Sequence, residues 1–352
     1  MIEMKSKRMV FLSIGKYILI VFLLALVVGG VLAYKYYHRL FKPNVKTEAS
    51  FVISPEMSYD MLLDSLQYYE VLHNANSFNW VAKIKGYPQR MKSGRYAFRK
   101  GQNTNAMVNM LLAGNQVPVE VTFNNLRFMP DLAAKVAADL APDSAALMAC
   151  LTSPLVWEKY GFDVHTFHAM FIPNTYQMYY TSTPEQFVAR MNKEYHRFWN
   201  DRRLAKAKAL GLTPVEVITL ASIVQEETIK ADEKPVVAGL YLNRLRKGML
   251  LQADPTVKYA VGDFGLKRVL NKHLEMDSPY NTYKYVGLPP GPINFPEISS
   301  IDAVLNATEH NYLFMCAKED FSGYHNFART LREHNNNANK YRRELNRRRI
   351  YK

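Results

Sequence analysis

Residues 17 to 34 carry no charge, and with the aromatics Tyr36 and Tyr37 behind them they are long enough to cross a bilayer. Hydrocarbon offers a backbone no water to bond, so such a run is confined to one α-helix. Lys5, Lys7, Arg8 and Lys16 precede it against Glu3 alone, which by the positive-inside rule leaves the N-terminus in the cytoplasm and everything after about Tyr37 outside. A cleaved signal peptide is the rival reading. The run is longer than a usual signal core, and no small-x-small cleavage site follows it.

The 352 residues, 48% of them hydrophobic, suffice for two domains with cores of their own. A net charge of +14 calls for a polyanionic neighbour. Behind a single-pass anchor that neighbour is anionic lipid or an acidic cell-wall polymer rather than nucleic acid. Much of the charge is local: Lys340, Arg342, Arg343, Arg347, Arg348, Arg349 and Lys352 crowd a tail that reads as a final helix. Cys150 and Cys316 lie in apolar settings that suit either a disulfide or buried free thiols. No CxxC or HExxH pattern occurs, so neither a metal nor a cofactor is expected. His165 and His168 can share a helical face, but packing explains them.

Residues 38 to 50 read as a polar linker. A small α+β unit follows to residue 118, with strands at 51 to 53 and 94 to 98 and helices near 57 to 66, 77 to 84 and 104 to 112, the last closed by Gly114. Val117 to Phe123 alternates as a strand and opens a larger α+β domain, residues 119 to 352. In it 129 to 152, 184 to 210 and 234 to 247 are helical, 263 to 278 charged and irregular, and 312 to 317 a strand.

The chemistry concentrates between Leu220 and Thr256. If residues 214 to 230 form one helix, with Thr213 as N-cap and Pro214 first, Glu227 lines up with Leu220, Ile223 and Val224, whereas Glu226 lines up with Thr219, Ser222 and Ile223. Glu227 thus ends the apolar stripe, where desolvation raises a carboxyl pKa toward a general acid's range. Leu251-Gln252-Ala253-Asp254-Pro255-Thr256 follows, with Asp254 either a second carboxylate or the cap of a helix start. Two loops come next, Ser278-Pro279-Tyr280-Asn281-Thr282-Tyr283 and Gly287-Leu288-Pro289-Pro290-Gly291-Pro292-Ile293, and then His325-Asn326-Phe327. Amides, hydroxyls and aromatic faces are what sugar binding uses, and a raised glutamate suits cleavage of a glycosidic bond.

These motifs, together with Ala221-Ser222-Ile223-Val224 before Glu227, Leu242-Asn243-Arg244-Leu245 and His334-Asn335, resemble the YceG-like endolytic murein transglycosylase family and keep its order. Ser93-Gly94-Arg95-Tyr96 and residues 107 to 114 look like the family's LysM-like module. The resemblance implies a single-pass protein of the inner (cytoplasmic) membrane with a periplasmic catalytic domain. That domain would cut between MurNAc and GlcNAc within nascent glycan strands, leave 1,6-anhydroMurNAc ends, and limit strand length beside peptidoglycan synthases. Glu227 matches the catalytic position. Gln252, Asp254, Tyr280, Asn281, Thr282, Tyr283, His325, Asn326 and Phe327 are the expected substrate-binding residues.

The chain departs from the family pattern at Gln225, where many members carry glutamate, and at His168 to Tyr176, which lacks an expected Glu and Asp and so reads as structural. Two alternatives stay open: a lysozyme-like hydrolase using Glu227 and Asp254, and a cell-wall-binding anchor without chemistry.

Overall fold

A computed structural model describes residues 2–266 and 269–350. Lys267 and Arg268 of the charged segment, and Lys352 of the tail, lie outside the described residues. The chain is mixed α+β and forms two compact units, residues 1–119 with 178–181, and residues 120–177 with 182–352.

The first unit contains α1 (Ile2–Phe41), β1 (Ala49–Ile53), α2 (Tyr59–Tyr68), α3 (Ala75–Ile84), β2 (Gly94–Phe98) and α4 (Thr104–Ala113). Within α1 the stretch Lys16–Phe41 is long and apolar enough to cross a membrane, and its most apolar 18 residues are not covered by protein. β1 and β2 pair antiparallel from Ala49↔Phe98 to Ile53↔Gly94. Leu62, Leu66, Phe78, Val81, Phe98, Met107 and Leu111 pack between the ribbon and the helices. Asparagine or serine caps open α2, α3 and α4, and Gly114 closes α4 in the left-handed conformation.

Residues 38 to 50, read from sequence as a linker, are built into this unit. Leu40 and Val45 join its core. Asn44 Nδ2 donates to the Asn74 carbonyl (3.0 Å) and to Thr104 Oγ1 (3.1 Å), and its Oδ1 accepts the Asn74 N–H (2.8 Å). Polar composition misled because a short polar side chain that satisfies buried backbone looks, in sequence, like loop.

The second unit runs β3 (Val119–Phe123), α5 (Met129–Ala137), α6 (Ser144–Leu151), α7 (Pro154–Lys159), a 3-10 turn (Phe167–Met170), β4 (Asn174–Met178), α8 (Pro184–Phe198) and α9 (Asp201–Leu210). It continues with α10 (Pro214–Glu227), α11 (Lys234–Arg246), α12 (Asp254–Val261), α13 (Asn271–Leu274), α14 (Ile298–Leu305), β5 (Phe314–Ala317), β6 (His325–Ala328) and α15 (Leu331–Arg347). β3 pairs with β4, and β5 pairs antiparallel with β6 under α15. α10 is the axis of this unit, packed by α9, α11, α12 and α14. Every residue from Val217 to Val224 is buried, so α10 is a core helix rather than a surface helix with one apolar stripe. Its two polar core residues are satisfied locally: Thr219 Oγ1 donates to the Val215 carbonyl and Ser222 Oγ to the Thr219 carbonyl.

Candidate active site

Thr213 opens α10 with a capping box, its Oγ1 accepting the Glu216 N–H while Glu216 Oε2 accepts the Thr213 N–H. The helix ends at Glu227, short of residue 230, because Thr228 turns extended (φ −147°, ψ 137°) and its hydroxyl donates to Glu233 (2.8 Å). That stop places Glu227 half-buried at the wall of a cavity of about 220 Å³. Gln252, Asp254, Tyr283 and His325 line the same cavity with Tyr241, Arg244 and Cys316.

Burial is the main cause that raises the Glu227 carboxyl to about 7; a 2.6 Å hydrogen bond from Tyr241 Oη opposes it, the Asp254 charge adds to it, and His325 and Lys258 oppose it. A group near 7 holds a proton for delivery and can take one back at neutral pH. Its neighbour differs. Glu226 accepts two hydrogen bonds from Arg127 (2.9 and 2.8 Å) and one from Asn294 Nδ2 (2.7 Å), and Arg127 lies over the Phe264 ring. Glu226 is thereby an element of structure on the exposed side of α10.

The second motif is knitted to the first loop. The Gln252 N–H donates to the Thr282 carbonyl (3.0 Å), the Ala253 N–H to Thr282 Oγ1 (3.0 Å), and Thr256 and Thr282 share a hydroxyl contact (2.8 Å). Gln252 holds φ at +50°, a left-handed conformation unusual for a side-chain-bearing residue, directly in the cavity wall. Asp254 does not cap α12. Ala253 is the N-cap, and Asp254, one place further in, accepts 2.6 Å from Tyr283 Oη inside the cavity rim.

Five expected binding residues are not in this cavity. Asn281 is fully buried, its amide donating to the Leu274 and Met276 carbonyls and its Oδ1 accepting the Tyr283 N–H. Thr282 is buried with its hydroxyl engaged as above, so both shape the wall from behind. Tyr280 packs on Tyr259 (ring centroids 4.7 Å apart). On β6, Asn326 donates to Glu319 (2.8 Å) and Phe327 stacks on Tyr312. A strand sends successive side chains to opposite faces, which separates His325 from Asn326.

The Pro/Gly loop backs the site from behind α10: the Ile293 N–H donates to Ser222 Oγ (3.0 Å) and Gly291 presses against the His165 backbone. Gln225 ties α10 to the start of α14, its Oε1 accepting from the Glu297 N–H and Ser300 Oγ. His168 lies tilted against Phe295 and burial pulls its pKa down to about 4; Phe171, Ile172, Pro173 and Tyr176 are buried with it, whereas Asn174 and Thr175 are exposed. Both cysteines are free. Sequence reasoning missed Tyr241, and it quoted Arg244 within a motif without giving it a role. Tyr241 is hidden in the buried run of α11, and Arg244 directs its guanidinium to the Leu250, Leu251 and Leu313 carbonyls, pinning the Gln252 turn.

Residues 51–340 match the YceG-like family. A Bacillus subtilis protein named endolytic murein transglycosylase is 29% identical over 90% of this chain and 91% of its own length. A Streptococcus pneumoniae protein of the same name is 25% identical over 91% of this chain and 63% of its own. In structure, a yceG-like protein from Listeria monocytogenes matches 82% of this chain and 98% of its own with a TM-score of 0.54 at 26% identity. With the match running from β1 into α15, and so through Glu227 and all the residues around it, the chain belongs to the YceG-like family.

Proposed function

We propose that this protein is an endolytic peptidoglycan lytic transglycosylase, cutting MurNAc-GlcNAc bonds within glycan strands to leave 1,6-anhydroMurNAc ends. The observation that carries the reading is one proton-holding glutamate, Glu227, at about 7 in a polar cavity of a chain whose relatives bear that activity's name. Glu227 delivers its proton to the leaving oxygen, and the sugar's own 6-hydroxyl closes on the anomeric carbon, so no second carboxylate is needed as nucleophile. Tyr241 orients the carboxyl; Gln252, Asp254 and Tyr283 offer hydrogen bonds to sugar hydroxyls.

α1 anchors the protein in the inner membrane, and its basic N-terminal flank keeps that end cytoplasmic, leaving both units periplasmic. The first unit, a LysM-like module, holds glycan, and work beside a peptidoglycan synthase would set the length of new strands.

Because Asp254 lines the same cavity as Glu227, a hydrolase using both is the second reading. Mass spectrometry of muropeptides released by the full-length protein separates them, since an anhydro end is lighter than a reducing end by one water. Anhydro ends absent from a Glu227→Gln control support the transglycosylase; reducing ends move Asp254 into the mechanism, and no cleavage leaves the cell-wall-binding reading.

A further inference from the structure

Glu227 Oε1 accepts from Tyr241 Oη, which leaves Oε2 as the oxygen of this carboxyl without a hydrogen-bond partner among the described residues, and a mechanism that uses Glu227 alone passes both protons of the reaction through one carboxyl group. One proton leaves toward the departing oxygen and another arrives from the 6-hydroxyl, on either side of the anomeric carbon.

A second titratable side chain of the cavity wall, His325, is held by a set of hydrogen bonds. His325 Nδ1 lies 2.9 Å from Glu233 Oε2, and the His325 backbone N–H donates to Glu233 Oε1 (2.7 Å). The Thr228 hydroxyl donates to the same carboxylate, whose side chain is only 4% exposed. A carboxylate already accepting from those donors takes a proton donor at Nδ1 as well, which fixes the tautomer and leaves Nε2 with the lone pair. Nε2 makes no hydrogen bond among the described residues, and the ring lines the cavity with Glu227. The neighbouring pair repeats the clamp: Tyr324 Oη donates to both oxygens of Asp232 (3.2 Å). Two consecutive acids of the turn before α11 thus hold two consecutive residues at the start of β6.

We propose that His325, oriented by Glu233, is the second proton carrier of this site, taking the proton of the 6-hydroxyl while Glu227 protonates the leaving oxygen. The inference rests on the transglycosylase reading. The Glu227 proton goes to O4 of GlcNAc as the C1–O4 bond breaks; O6 of MurNAc bonds to C1, and its proton moves to His325 Nε2. The imidazolium then returns that proton through water to the Glu227 carboxylate, so the enzyme ends as it began. Glu233 is a positioning residue.

The test uses full-length protein in detergent on purified glycan strands. Wild-type protein must first produce anhydro ends; failure there removes the transglycosylase reading whatever His325 does. Replacing the imidazole, His325→Ala, then lowers kcat on the order of 10²-fold or more with KM unchanged, and free imidazole restores part of the turnover. Imidazole restores nothing to Glu227→Gln. A His325→Gln protein with wild-type kcat, or a folded His325→Ala protein that imidazole does not rescue, overturns the proposal. Should His325→Ala fail to fold, Glu233→Gln decides: the amide keeps the shape but not the tautomer preference, so kcat falls about 10²-fold at unchanged KM, whereas full kcat refutes the dyad.

Discussion

Tyr241 Oη stands 2.6 Å from Glu227 Oε1, one turn-and-helix away in sequence and the closest polar partner of the carboxyl. The bond favours the charged form and so opposes the burial that drives the pKa up. Tyr241→Phe removes it, and Glu227 holds its proton to higher pH. The alkaline limb of the cleavage rate, set near 7 in the native protein, should move up by roughly one pH unit. An unmoved limb in a pH–rate profile would show that another group supplies the proton.

Glu227 also couples pH to stability. Its pKa is raised in the folded state, from the ordinary 4.5 to about 7, so its contribution is intact below 4.5 and is lost as pH rises through 7. Glu227→Gln has no such loss. Between pH 4 and pH 8 the variant should gain about 3 kcal/mol on the native protein while losing cleavage, a difference that denaturant unfolding at the two pH values reads directly.

The adjacent glutamate behaves otherwise. Glu226→Gln weakens the pair with the half-exposed Arg127, at a cost of about 1 kcal/mol, and leaves cleavage in place. Abolished cleavage in a folded Glu226→Gln protein would exchange the roles of the two glutamates.

At Gly291 a Cβ would collide with the His165 carbonyl oxygen, a backbone atom that no rotamer change can move aside. Gly291→Ala should cost about 3 kcal/mol or more, lowering Tm by roughly 10 °C. A thermal scan that finds the native midpoint would mean the loop is free to shift.

The helices of the site were legible because their signals are local. Thr213-Pro214 announces the start of α10, and spacing along the helix separates Glu227 from Glu226. What sequence does not encode locally is which way a loop faces. Asn281 and Thr282 belong to a polar motif and read as ligands for sugar, yet Asn281 holds the Leu274 and Met276 carbonyls and the Tyr283 N–H, and the Thr282 hydroxyl holds the Ala253 N–H. Tyr241 lacked any signal, since an aromatic among apolar helix residues looks like core until Glu227 is found beside it. His325 was singled out, but Glu233, which orients it across the chain, was not, because their pairing depends on β6 meeting the turn before α11.

The way α1 enters the first unit changes what an anchor of this kind does. Had residues 38 to 50 been a flexible tether, the unit behind it would sweep a region roughly 20 Å across above the bilayer. With Leu40 in the core and Asn44 bonded to both Asn74 and Thr104, helix and unit turn together. With α1 as the proposed anchor, the tilt of that one helix governs the height of the first unit over the lipid, and bilayer thickness becomes a variable that repositions it.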